Sequence, residues 1–138
     1  MKSTHGMCVH ASIVAKSVEE LQVFQRALAA AHEISAMLGR PAFQCDRELR
    51  CQLSSASIRV VSDISEGFEQ KTDRHFAKYL YDSRGGSREV RTQLLVALGR
   101  RYISATEQTR VCGIYEEIAK MLTGLIRHLE REDRKHRR

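Results

Sequence analysis

Apolar residues recur at intervals of three and four along most of the chain, the period of a helix that buries one face. Ser17-Val-Glu-Glu20 has the form of a capping box. Behind it Leu21, Phe24, Leu28, Ala31 and Leu38 form a stripe that Val23 and Ile34 widen. Gly39 and Pro41 predict the end of this first helix. Asp46 opens a second, with Leu49, Leu53, Ala56, Val60 and Ile64 on its inner face, Val61 alongside, and Gly67 in the place of a terminating glycine. Thr72 or Asp73 opens a third helix reaching about Leu98, whose Phe76, Tyr79, Leu80, Ser83, Val90, Leu94, Ala97 and Leu98 share a face. Gly85 and Gly86 fall inside it, at up to about 1 kcal/mol each relative to alanine. The pattern resumes in register after them, which predicts a continuous helix whose small residues, Ser83 to Ser87, let a neighbour approach closely. Ser104-Ala-Thr-Glu107 is a second capping box, and Val111, Ile114, Tyr115, Ile118, Met121, Leu122, Leu125 and Leu129 carry a fourth helix, expected to fray from Arg131.

Four amphipathic stripes joined by short loops predict an all-α fold, an antiparallel up-down-up-down four-helix bundle. The expected organisation is a flexible tail over residues 1–16, the bundle over 17–131 and a basic tail over 132–138. A length of 138 residues fits one domain. A single proline and no tryptophan suit helices and oppose a turn-rich β fold.

No apolar run approaches the ~18 residues of a membrane span. The first residues lack the pattern of a secretory signal, which predicts a cytoplasmic protein. Cys8, Cys45, Cys51 and Cys112 have no C-x-x-C spacing and are expected to be reduced thiols. His5, Cys8 and His10 are the nearest approach to a metal-ligand cluster, too weakly patterned to predict a site. Asp63, Glu66 and Glu69 with His75 are the best acid–base candidates, but no second Glu-x-x-His element completes a di-metal bundle site. The expectation is a non-enzymatic protein without metal or cofactor.

Charge changes the picture. Lys and Arg number 23 against 17 Asp and Glu, a net +6, which favours anionic partners. On the third helix Arg74, Lys78, Arg84, Arg88 and Arg91 occupy the arc beside the core stripe, with Tyr81 among them. Such a row can track a phosphate backbone, and Tyr81 can stack on an unpaired base. Arg100 and Arg101 extend the basic surface, while Asp82 and Glu89 dilute it. Ile58, Tyr81 and Leu95 point off the main faces of their helices and are candidates for an interface between copies. A solvated basic face with scattered surface hydrophobes is the plainer alternative.

The segments Ile58-Arg-Val-Val-Ser-Asp-Ile-Ser-Glu-Gly-Phe68, Gly86-Ser-Arg-Glu-Val-Arg-Thr-Gln-Leu94 and Tyr102-Ile-Ser104 give the chain a specific likeness. It resembles the bacterial four-helix-bundle family whose founding members are encoded in intervening sequences of 23S ribosomal RNA genes. Val61-Ser62-Asp63 stands where that family has Pro-Ser-Asn, which predicts a straighter second helix, and Arg100-Arg101 replaces its usual Leu-Gly. Arg91 stands where an acidic or neutral residue is common. Members are similar to the accessory protein of diversity-generating retroelements. The resemblance therefore implies a homopentamer that binds RNA or DNA. It also implies an alternative, a protein-interaction scaffold for a partner such as a reverse transcriptase.

Overall fold

The structure, a computed structural model, describes residues 15–138. Most of the expected N-terminal tail, with His5, Cys8 and His10, lies outside the described residues. Four long helices, α1 (Gln22–Leu38), α2 (Arg47–Phe68), α3 (Asp73–Gly99) and α4 (Ala105–His136), pack as an antiparallel up-down-up-down bundle. Each packs on its neighbours in sequence, and α1 closes the ring against α4.

Three of the expected caps form. Asp46 accepts a hydrogen bond from the Leu49 N–H, Thr72 from that of His75 and Ser104 from that of Glu107, each satisfying one orphan donor of a first helical turn. The Ser17 box does not form. Val18–Glu20 is a 3-10 turn, and Leu21 then takes an extended conformation (ψ 126°), so α1 starts only at Gln22. Glu20 instead accepts from the Lys16 N–H at 3.1 Å.

The inner line of α1 is Val23, Ala27, Ala30, Ile34 and Met37. Leu28, expected on the core stripe, is 39% exposed, and Leu21 and Phe24 are half-buried. The small alanines take the inner positions, and the bulkier residues lie toward the groove edge. Pro41–Gln44 forms one further helical turn, with proline at its tolerated first position. That turn inserts Phe43, fully buried, against Tyr102 at 5.2 Å between ring centroids.

Helix α3 is unbroken through its glycines. A side chain at Gly86 would meet Val60 at 3.0 Å, so its absence is what brings α2 and α3 together. Gly67 does not terminate α2. It lies inside the helix, where a Cβ would sit 2.8 Å from that of Tyr79, and α2 runs on to Phe68. Two buried serines on α3 are satisfied by neighbouring backbone: Ser83 donates to the Val60 carbonyl and Ser87 to the Tyr115 carbonyl, both at 2.8 Å. Helix α4 does not fray at Arg131. It continues to His136, supported by pairs of Lys135 with Glu132 and Arg137 with Asp133, and its basic last turn suits the negative end of the helix dipole.

Candidate nucleic-acid interface

The seam between α3 and α4 stays open along much of its length. Three depressions lie in line there, with volumes of about 770, 590 and 430 Å³. The first is lined by Arg74 and Lys78 from α3 and by Arg134 and Arg137 from α4. The second is lined by Arg91 with Lys120 and Arg127, the third by Arg88 and Arg91 with Leu95. Eight cations thus face three carboxylates: Glu116, Glu130 and Asp133. Two of those carboxylates are engaged, Glu130 by the Tyr81 hydroxyl and Asp133 by Arg137.

The row expected from α3 is therefore one wall of a two-walled cleft. Tyr81 and Arg84 bridge it. The Tyr81 hydroxyl donates to Glu130 Oε2 at 2.8 Å, and Arg84 Nη1 donates to Thr123 Oγ1 at 3.0 Å. The Arg84 guanidinium also sits 4.9 Å from the centre of the Tyr81 ring, within cation–π range. The bond to Glu130, and then partial burial, raises the Tyr81 phenol above its ordinary pKa, so it stays a neutral donor. Arg91 is half-buried, and its Nε has no hydrogen-bond partner.

The opposite wall has a signal in the sequence too. Lys120, Arg127 and Arg134 recur every seven residues, so they drift only slightly around α4 and share a stripe. That spacing was the available signal.

Arg100 and Arg101 line none of these depressions. Arg100 is drawn to the start of α2, where it pairs with Asp46 at 2.5 Å. Tyr102 donates to the same carboxylate at 2.9 Å. The Asp46 carboxyl is held below its ordinary range by the Leu49 N–H first, then by Tyr102 and Arg100. Arg101 is exposed at φ 64° and is the single non-glycine residue with positive φ among the described residues.

The interface candidates separate. Leu95, 56% exposed, lines the third depression, Tyr81 the first, and Ile58, 58% exposed, stands on α2 away from the cleft. The acid–base candidates separate too. Asp63 pairs with Arg59 at 3.7 Å, and its carboxyl is pushed up first by burial and then by Asp82. Glu66 and Glu69 are exposed at the end of α2, and His75 bonds Thr72. Among the described residues no three His, Cys, Asp or Glu side chains converge as a metal site. Nor is any helix among them long and apolar enough to cross a membrane.

Compared with known proteins, the chain is matched over residues 19–124 by a family model described as 23S rRNA-intervening sequence protein. No curated protein matches it.

Proposed function

Because the chain belongs to the 23S rRNA-intervening sequence protein family, we propose that it is a non-catalytic bundle that binds RNA or other nucleic acid along the α3–α4 cleft. The observation that carries this reading is the excess of cations on both walls. Arg74, Lys78 and Arg134 make no ion pair among the described residues, whereas Arg40 pairs with Glu107, Arg59 with Glu89 and Arg100 with Asp46. Unpaired cations that face one another across a cleft repel, and a polyanion relieves that repulsion while releasing its own counterions. The protein works as a homo-oligomer, a pentamer by the family likeness, in the cytoplasm. The exposed Ile58 and Leu95, on different helices, suit a heterologous contact of the kind that closes rings, and each added copy multiplies a weak cleft into a strong site.

The test is fluorescence anisotropy with labelled RNA over a range of salt, beside light scattering. Lys78→Glu/Arg127→Glu/Arg134→Glu is expected to weaken binding by more than about tenfold at low salt, through lost phosphate contacts, with helicity and particle mass unchanged. An unaltered affinity overturns the cleft as the binding site. The scaffold alternative gains if RNA binding is absent and Ile58→Glu abolishes capture of a protein partner.

A further inference from the structure

We infer that the first depression is built to hold an unpaired nucleotide, so that the cleft selects single strands over duplex. This rests on the nucleic-acid reading above and narrows it to a ligand class.

The observation is a side-chain platform that bridges the seam. Tyr81 is fixed at its hydroxyl by Glu130 from α4. Its ring is backed by the Arg84 guanidinium, and that guanidinium is itself tied to Thr123 of α4. An exposed tyrosine on a helix ordinarily samples several rotamers, and ordering it costs free energy on binding. Here the phenol is tied at its tip and covered on one side before any ligand arrives. The ring is nevertheless 42% exposed and lines the largest depression of the cleft. What remains open is aromatic surface facing a space rimmed by Arg74, Lys78 and Arg134.

That arrangement matches a nucleotide whose base stacks on the ring while its flanking phosphates meet the cations. The backing arginine strengthens the platform, since a cation on one side of a ring draws electron density from the surface offered to the base. A base within a duplex already has both faces stacked and cannot offer one without unpairing. The cations alone would take either form, because phosphate contacts carry no such preference. Discrimination therefore resides in Tyr81, with Arg84 and Glu130 as positioning residues.

Four probes separate these roles. They are labelled oligouridine of about twelve nucleotides, matched to the usual span of one single-strand site, an abasic strand of the same length, an RNA duplex of the same length, and a single-stranded DNA. Wild-type protein is expected to bind oligouridine more tightly than the abasic strand or the duplex. Tyr81→Ala is expected to lose roughly tenfold on oligouridine, within the range for one stacked base, and nothing on the abasic strand or duplex. Tyr81→Phe keeps the ring and should retain most of the preference. Single-stranded DNA should behave as oligouridine does, because stacking does not read the 2′-hydroxyl. The inference is overturned if Tyr81→Ala weakens every probe equally, or none, while Lys78→Glu/Arg127→Glu/Arg134→Glu weakens all of them. The cleft would then stand as a phosphate track without a base site. Absence of binding to any probe by the wild-type protein overturns both readings.

Discussion

Helix α3 has two long sides that meet different fates. Toward α2 its middle residues are small and the seam is tight there: Gly86 rests against Val60, and Ser83 is bonded to the α2 backbone, leaving one smaller depression of about 290 Å³ beside Arg59 and Glu89. Arg59 at that seam is neutralised by Glu89 at 3.0 Å and Asp63 at 3.7 Å. Toward α4 the residues are long and basic, and the seam is open. Charge alone does not mark a functional face. The α2 side is charged too, but Arg59 there has a partner within the fold. What distinguishes the α4 side is charge left without one.

That comparison is broken most severely by filling the tight seam. Gly86→Leu is expected to destabilise the bundle by about 3 kcal/mol or to prevent folding, since the extra atoms have nowhere to go. Lys78→Ala, on the other side of the same helix, should change stability by less than about 0.5 kcal/mol. Chemical denaturation followed by circular dichroism reads both. A smaller effect is expected inside the core. The Tyr115 hydroxyl is buried without a hydrogen-bond partner, and burial pushes its pKa well above the ordinary value. Tyr115→Phe removes that orphan group, and should raise stability by about 1 kcal/mol in the same assay.

Arg101 supplies a prediction of similar size that also sharpens the contrast. Its left-handed backbone costs roughly 1 kcal/mol for a residue with a Cβ. Arg101→Gly should therefore raise the unfolding midpoint. RNA affinity should stay near the wild-type value, because Arg101 lies outside the cleft. A large fall in affinity would extend the binding surface into the α3–α4 loop.

The smallest effect concerns pH. Asp46, at the junction of α2 with Arg100 and Tyr102, has its folded pKa lowered. A carboxyl of this kind favours folding above its unfolded pKa of about 3.9, and that contribution is lost as pH falls through the lowered folded value. Asp46→Asn keeps a capping oxygen and removes the charge. It should flatten the acid side of the stability profile by lowering stability in the neutral region, while below the folded pKa the two proteins converge. Thermal unfolding from pH 2 to 7 would check it, and an unchanged acid slope would count against the junction.

Much of this architecture is legible in the periodicity. The inner line of α2, the three caps at Asp46, Thr72 and Ser104, and the unbroken course of α3 all follow from local pattern. Local pattern fails where tertiary packing decides. Leu28 lies on a convincing stripe, but Ala27 and Ala30 take the interior. Gly67 reads as a stop signal, and its role becomes visible only when Tyr79 is brought against it. The cleft was half legible. Its α3 wall is a run of arginines on one arc, whereas its α4 wall belongs to it only because the bundle sets the two helices side by side. Arg100 looks like part of the basic surface in one dimension and becomes a structural partner of Asp46 in three.

The central claim is that phosphates are taken up on the α4 side of α3 and not on its α2 side. The most direct measurement is the dependence of oligouridine affinity on salt for wild type, Lys78→Ala and Arg59→Ala. Removal of one phosphate contact to a single strand should lower the slope of log affinity against log salt by roughly 0.7. The account predicts that loss for Lys78→Ala and an unchanged slope for Arg59→Ala. Equal slopes for wild type and Lys78→Ala, or a loss confined to Arg59→Ala, would contradict it.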